Sequence, residues 1–188
     1  MVRTGDIMQR IVFVAGIHGV GKSSMCARLA EAVGAAHLSS GALIRQSLMG
    51  TPESASEKPV GDVGKNQDAL IAALSAQGAR EIILDGHFVL LKAAGTFADV
   101  PLATFAELAP VGVLLILDEA EAIATRLWAR DGTRYDQSLL EELQRRENAA
   151  ACEVTRAIGA PLRILHPNDD IRAIAPLVRQ WLSGAVQQ

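Results

Sequence analysis

The sequence contains little of several residue types that mark particular classes of protein. Among 188 residues there are two cysteines, one tyrosine and an aromatic share of 4%. Cys26 and Cys152 lack the close spacing of metal ligands, so we expect two small core residues in a reducing, cytoplasmic compartment. The longest apolar stretches, such as residues 111–117, fall far short of the roughly 20 residues of a membrane span.

An excess of positive charge is also lacking. The formal net charge is -3, from 18 basic and 21 acidic residues. We therefore expect no bulk electrostatic attraction to nucleic acid or to an anionic membrane. The hydrophobic share of 49% is enough for one buried core, and the chain length is typical of one domain, which we place at residues 1–188.

What is present is a regular alternation of two patterns. Short, continuously apolar runs predict buried strands, at residues 11–15, 36–38, 81–84, 111–117 and 162–165. Segments with apolar residues at helical spacing follow them, at residues 23–33, 40–49, 66–77, 119–130, 137–158 and 171–183. Strands that alternate with helices pair in parallel through right-handed crossovers. The pattern predicts a three-layer α/β fold with a five-stranded parallel sheet.

Three segments fall outside this alternation. Residues 1–9 form a polar leader, and residues 50–65 are rich in glycine, proline, serine and glutamate, which predicts a mobile loop or insert. Residues 88–110 are compatible with a hairpin or an irregular loop, followed by a short helix from Pro101 to Leu108.

The strongest motif lies between the first strand and the first helix. Gly16–Ser23 reads GIHGVGKS and fits the phosphate-loop spacing GxxxxGK[ST] in full. Glycines let such a loop turn its N–H groups towards phosphate oxygens, and the following helix directs its positive end at the same anion. We expect Lys22, on an exposed loop, to reach the β- and γ-phosphates, and Ser23 to bind Mg²⁺. The predicted nucleotide-binding residues are Gly16, His18, Gly19, Val20, Gly21, Lys22, Ser23 and Ser24.

Two aspartates stand at predicted strand ends. Asp85 follows residues 81–84, where a carboxylate facing the phosphate loop holds Mg²⁺ through water or accepts a proton from the substrate. Asp118 follows residues 111–117, but a helix begins directly after it, so we expect it to cap that helix.

The size of the chain narrows the class of phosphate-loop protein. A guanine-reading NKxD string is lacking, which argues against a GTPase, and one domain is too little for a motor ATPase. A small kinase fits best.

Residues 38–45, LSSGALIR, resemble the segment of adenylate kinases that opens the nucleoside-monophosphate site. Asp85-Gly86 resembles the Asp-Gly of that family, and residues 126–134 resemble its helix-to-lid segment.

The resemblance is closest to short-lid adenylate kinases of the archaeal type and related bacterial ATP-binding proteins, and it runs from about residue 11 to residue 165. It implies the P-loop NTPase fold with a short lid at about 126–137 and an acceptor-binding segment at about 38–78. It also implies that Ser40 and Arg45 contact the acceptor. The lid arginines Arg126, Arg130 and Arg134 would contact ATP and the transferring phosphoryl group.

Two positions depart from that family. His87-Phe88-Val89 stands where many adenylate kinases have Pro-Arg, so one acceptor-phosphate arginine is missing, and His18 stands where proline is common. His87 is a further candidate for contact with the acceptor. Planar guanidinium groups neutralise and orient the charge that develops on the phosphoryl oxygens during transfer. This chemistry independently favours a catalytic role for the lid arginines.

The sequence therefore predicts a MgATP-dependent phosphotransferase whose acceptor is a nucleoside monophosphate, with Mg²⁺ held by Ser23 and Asp85. The expected catalytic residues are Lys22, Asp85, Arg126, Arg130 and Arg134. Two alternatives remain open. One is a kinase of a small non-nucleotide alcohol, for which Asp85 would act as a base, and the other is a nucleotide-switched ATPase with an assembly role.

Overall fold

The computed structural model describes residues 9–49, 63–92, 95–132 and 134–184. Most of the predicted leader and most of the predicted insert lie outside these ranges, as does Thr133 in the lid segment. None of the helices within the described ranges combines the length and apolar character needed to cross a membrane.

Strands and helices alternate along the chain as the sequence predicts. The strands are β1 (Arg10–Ala15), β2 (Ala36–Ser39), β3 (Glu81–Asp85), β4 (Val89–Leu91), β5 (Phe97–Asp99), β6 (Gly112–Ile116) and β7 (Leu162–Leu165). The helices are α1 (Lys22–Val33), α2 (Ser40–Met49), α3 (Val63–Ser75), α4 (Leu102–Leu108), α5 (Ala120–Asp131), α6 (Gln137–Ile158) and α7 (Ile171–Ser183).

Five strands form one parallel sheet in the order β2-β3-β1-β6-β7. The predicted α/β class with a five-stranded parallel sheet is confirmed. The central strand β1 lies between β3 and β6, with Val14 in register with Asp85 on one side and with Leu114 on the other. Because the carboxyl ends of parallel strands meet at one edge, the loops after β1 and β3 lie side by side there.

The core is continuous through the sheet. Residues 11–15 of β1 are buried, as are residues 113–116 of β6. Three buried aromatic rings, those of Phe13, Phe88 and Phe105, pack against one another with centroids 4.6 to 5.4 Å apart. Phe88 is therefore a core residue, because its side chain is only 1% exposed.

The predicted hairpin is present as β4 and β5, which pair antiparallel, and α4 follows with Pro101 at its N-cap. Several element ends differ from the prediction by one or two residues, and the largest difference is at the start of α3. Helix α3 begins at Val63, so the last residues of the predicted insert are helical. Gly64 lies in this turn, where a glycine costs about 1 kcal/mol relative to alanine. Helix α3 packs against α2.

Candidate active site

The loop after β1 has the conformation that the glycine spacing predicts. Gly16, Gly19 and Gly21 have φ angles of 141°, 80° and 104°, which favour glycine over other residues. At Gly16 an added Cβ would lie 2.6 Å from the carbonyl oxygen of Ile116. Helix α1 begins directly after this loop, at Lys22. The N-terminus of α1 is thus placed to receive phosphate oxygens, whereas the N–H of Gly16 donates to the side chain of Glu147.

Lys22 is not on an exposed surface, and that expectation was wrong. Its side chain is 7% exposed, and Nζ donates hydrogen bonds to the carbonyl oxygens of Gly16 (2.6 Å) and Ile17 (3.0 Å). The loop folds around the ammonium group, which a linear motif does not reveal. Burial lowers the pKa of Lys22 to about 8, while the nearby carboxylates of Glu147 and Asp85 act in the opposite direction.

Other residues of the predicted nucleotide site take different positions. Val20 is fully buried, so only its backbone is available to a nucleotide. Ser23 and Ser24 are exposed in the first turn of α1. Their hydroxyl groups can therefore reach a ligand without disturbing the core.

Asp85 lies at the end of β3 and is 8% exposed. Its Oδ2 is 2.9 Å from Nε2 of His37, which lies on the neighbouring strand β2. The hydroxyl of Ser40 donates a hydrogen bond of 2.8 Å to the backbone oxygen of Asp85. The carboxylate is thus oriented by His37, while Ser40 fixes the backbone of the same residue.

The donor set around Asp85 fits Mg²⁺. The Ser23 hydroxyl and the Asp85 carboxylate are hard oxygen ligands, and both line the same cavity. Cys26 and His37 also have ligand atoms within 4.8 Å of Asp85. Cys26 is fully buried, and burial strongly raises the pKa of its thiol. The thiol is therefore protonated, whereas binding a metal through sulfur would require the thiolate.

Two imidazoles connect the phosphate loop with the loop after β3. The rings of His18 and His87 are in contact, with centroids 4.4 Å apart. Burial and the proximity of Lys22 lower the pKa of His18, and the same causes lower the pKa of His87 well below its ordinary value. Both rings are therefore neutral near pH 7, and both line the cavity.

The lid arginines differ in what they contact. Arg126 donates from Nε to the carbonyl oxygen of Gly19 at 2.8 Å, and from a terminal nitrogen to Oδ2 of Asp118. Arg130 pairs with Asp131 in an exposed ion pair, and Arg134 lies over the Trp128 ring, 5.2 Å from its centroid. Of the three, Arg126 is the one hydrogen-bonded to the phosphate loop within the described residues.

The expected capping role of Asp118 was wrong. Helix α5 begins at Ala120 with Glu119 at its N-cap, and no side chain caps it. Asp118 instead pairs with Arg126, and its backbone N–H donates to the side chain of Gln144 at 3.0 Å. The guanidinium offers this carboxylate a charged partner, which the free N–H groups of a helix end do not. Helix α5 ends at its C-cap, Gly132, which has φ 67°.

Glu147, in the middle of α6, was missed by sequence reasoning. Its side chain is fully buried, and its carboxylate accepts hydrogen bonds from the backbone N–H groups of Gly16 (3.1 Å), Phe88 (3.0 Å) and Val89 (2.7 Å). Burial raises the pKa of Glu147, while these N–H donors and Lys22 lower it. A signal was present in the pattern, since Glu147 continues the buried stripe of Leu140, Leu143, Ala151 and Val154.

A cavity of about 440 Å³ opens beside these groups. Lys22, Ser23 and His18 line its phosphate side, and Asp85 and His87 line its floor. Ser40, Arg45 and Gln67 line the wall formed by α2 and α3, and the hairpin segment supplies Val89 to Lys92. The structure thus brings the predicted acceptor residues together with the phosphate loop, whereas Arg126, Arg130 and Arg134 do not line this cavity.

Comparison with known proteins bears on the fold and the family. A family model described as an AAA domain matches residues 15–144. No curated protein matches the chain. A shikimate kinase from Acinetobacter baumannii, solved in complex with shikimate, is 19% identical with a TM-score of 0.60, over 95% of this chain and 96% of that one. A gluconokinase from Sinorhizobium meliloti is 18% identical with a TM-score of 0.51, over 96% and 94% of the two chains.

Proposed function

The chain belongs to the AAA domain family, and from that premise we propose that it is a MgATP-dependent kinase. Its acceptor would be the hydroxyl group of a small molecule that also carries an anionic group. This differs from the nucleoside-monophosphate acceptor that the sequence favours and agrees with the first alternative. Both solved kinases of similar fold are named for small hydroxy acids, which supports the change of acceptor class.

The observation that carries the proposal is the composition of the cavity. Asp85, which pairs with His37, lines the cavity together with Lys22 and Ser23. A hydroxyl group must lose a proton when it attacks phosphorus, whereas a phosphate acceptor is already anionic and needs no base. A fixed carboxylate beside the phosphate loop can act as the base for an alcohol acceptor, and it therefore favours an alcohol over a phosphate acceptor.

Two cationic side chains of the cavity indicate that the acceptor also carries an anionic group. Arg45 on α2 and Lys92 directly after β4 line the cavity. A guanidinium binds a carboxylate or a phosphate through two parallel hydrogen bonds, which orients the acceptor as well as attracting it. The remaining surface includes apolar side chains of Phe105, Leu108 and Val100, which favours a compact carbon skeleton.

The reaction then uses residues in fixed places. The acceptor oxygen attacks the γ-phosphorus, the bond to the bridging oxygen of ADP breaks, and Asp85 receives the hydroxyl proton. Lys22 leaves its two carbonyl partners to bind the γ-phosphate. Arg126 holds the turn of the phosphate loop at Gly19. Bound Mg²⁺ would neutralise charge on the phosphates. The Ser23 hydroxyl would hold it directly and Asp85 only through water, which leaves the Asp85 carboxylate able to accept the proton.

A nucleoside monophosphate remains the second candidate acceptor. The position of Arg45 in the cavity wall next to Ser40 favours it, because adenylate kinases have their acceptor site at the segment that residues 38–45 resemble. The cavity does not contain a second arginine from the described residues, which weighs against a tightly bound monophosphate dianion.

The acceptor class is tested by measuring ADP formation from MgATP with a panel of hydroxy acids and a panel of nucleoside monophosphates. We expect ADP formation to rise with one or more hydroxy acids and to stay at the acceptor-free rate with the monophosphates. Stimulation by monophosphates alone would reverse the choice between the two candidates. High ADP formation that no acceptor changes would favour a nucleotide-switched ATPase.

A further inference from the structure

The buried carboxylate of Glu147 lies between two loops that serve different substrates. One of its donors, Gly16 N–H, belongs to the first residue of the phosphate loop. The other two donors, Phe88 N–H and Val89 N–H, belong to the segment that follows Asp85 and lines the cavity. A single side chain thus joins the nucleotide side and the acceptor side of the site.

A fully buried carboxylate is costly to keep unless its partners satisfy it. Here three backbone N–H groups do so, and Lys22 contributes favourable charge. An apolar residue would fit the stripe of α6, since its neighbours in the stripe are Leu143 and Ala151. It would leave three buried N–H groups without this acceptor. The carboxylate therefore adds a hydrogen-bonded link between two loops that the rings of His18 and His87 also bring into contact.

We propose that Glu147 is a positioning residue that fixes the phosphate loop relative to the cavity wall at Phe88-Val89, and so sets the distance between the γ-phosphate and the acceptor. The coupling of the two loops is independent of which acceptor is used, although its benefit to catalysis rests on the proposed kinase function. Phosphoryl transfer depends on alignment, and a displacement of about 1 Å can cost roughly 100-fold in rate.

The position of Glu147 on α6 extends this coupling to the lid segment. Helix α6 begins at Gln137, directly after the segment that carries Arg130 and Arg134. Gln144, one turn before Glu147, exchanges hydrogen bonds with the backbone of Asp118, and Asp118 pairs with Arg126. A movement of α6 would therefore displace the phosphate loop through the contacts of both Glu147 and Arg126.

Amide hydrogen exchange of the complete chain tests the coupling without an acceptor. A non-hydrolysable ATP analogue with Mg²⁺ is added, and exchange is followed at Phe88 and Val89. In the unaltered protein we expect the analogue to slow exchange at both amides by about 10-fold, because Glu147 transmits the ordering of the phosphate loop. Gly16 N–H donates to one carboxylate oxygen of Glu147 and Val89 N–H to the other, so a glutamine, which has one oxygen, cannot accept from both. In Glu147→Gln the analogue should therefore slow exchange at the phosphate loop but change it less than about twofold at Val89.

Glu153→Gln is the matched control, because Glu153 lies on the same helix and is exposed. It should behave as the unaltered protein does. If Glu147→Gln does not fold, Glu147→Asp replaces it. That side chain keeps the charge but is shorter by one methylene, so it can reach one loop and not both. Equal slowing at Val89 in the unaltered protein and in the folded variant would overturn the proposal. So would no slowing in the unaltered protein.

A kinetic measurement separates this inference from the proposed function. The kcat for acceptor phosphorylation, expressed per ATP-binding site titrated with the analogue, should fall by about 10-fold or more in Glu147→Gln, with a small change in the KM for ATP. A loss of folded protein alone would lower the number of sites and leave kcat per site unchanged, which would contradict a positioning role. If no acceptor is phosphorylated by the unaltered protein, the kinase proposal fails, while the exchange result still decides on Glu147.

Discussion

Nε2 of His37 lies 2.9 Å from Oδ2 of Asp85, so an imidazole on β2 holds the carboxylate at the end of β3. The two strands are neighbours in the sheet, with Ser39 in register with Asp85. The pairing leaves the carboxylate in one orientation at the floor of the cavity. A group held in this way can accept a proton without first paying the entropy of ordering its side chain.

Asp85→Asn should lower kcat by roughly 100- to 10,000-fold, because the amide cannot accept the hydroxyl proton. His37→Gln should have a smaller effect, about 10-fold or less, since it removes the orienting partner and keeps the carboxylate. Both are measured with saturating ATP, Mg²⁺ and acceptor. Turnover of Asp85→Asn close to that of the unaltered protein would exclude Asp85 as the base.

Lys22→Ala should remove roughly 3–5 kcal/mol of transition-state stabilisation, because the charge that binds the γ-phosphate is lost. The measurement is kcat/KM for ATP, with circular dichroism to establish that the variant is folded. Arg163→Ala on β7 removes an exposed cation and should change neither quantity. A folded Lys22→Ala protein with unaltered turnover would show that the loop does not serve catalysis.

The pH dependence should report the burial of Lys22. Its pKa of about 8 means that the free enzyme loses the ammonium charge as pH rises through 8, so kcat/KM for ATP should decline there. Lys22→Arg keeps its charge throughout this range, and its profile should lack the decline. A profile of the unaltered protein that stays flat to pH 10 would contradict the lowered pKa.

Arg126→Ala should raise the KM for ATP by roughly 3- to 10-fold, because the phosphate loop loses the hydrogen bond to Gly19. Asp118→Asn should give a weaker change in the same direction, since it removes the charge that orients Arg126. Arg156→Ala, an exposed residue in the last turn of α6, serves as the control. An increase in the KM for the acceptor alone would contradict this prediction, because it would show that Arg126 acts on acceptor binding and not on ATP binding.

Arg45→Ala should raise the KM for the acceptor by roughly 10- to 100-fold and leave the KM for ATP nearly unchanged, because a bidentate contact with an anionic group is lost. Arg45→Lys should recover part of the effect, because it keeps the charge without the planar fork. Arg28→Ala on the exposed side of α1 is the matched control. An unchanged acceptor KM would show that Arg45 does not bind the acceptor.

The features that could be predicted from the sequence are local ones. Helices α6 and α7 have the predicted bounds, because each has apolar residues at helical spacing, an aspartate cap directly before it and a glycine directly after it. The phosphate loop is likewise encoded in consecutive residues, three of which are glycines with positive φ.

The features that could not be predicted depend on residues far apart in the sequence. Glu147 meets Gly16 from 131 positions away and Val89 from 58. Asp118 has a suitable helix to cap, yet the guanidinium of Arg126 is brought beside it by the fold of α5. Lys22 is buried because the loop wraps around it, which the spacing of the motif does not specify.

The most direct test of the central claim is the identity of the phosphorylated product. Phosphorus NMR of a reaction with MgATP, one hydroxy acid and one nucleoside monophosphate in equal amounts distinguishes the outcomes in a single sample. We predict that the γ-phosphoryl group appears as a phosphate monoester of the hydroxy acid, together with ADP. Its appearance instead as the β-phosphate of a new nucleoside diphosphate, or as free inorganic phosphate alone, would contradict the account.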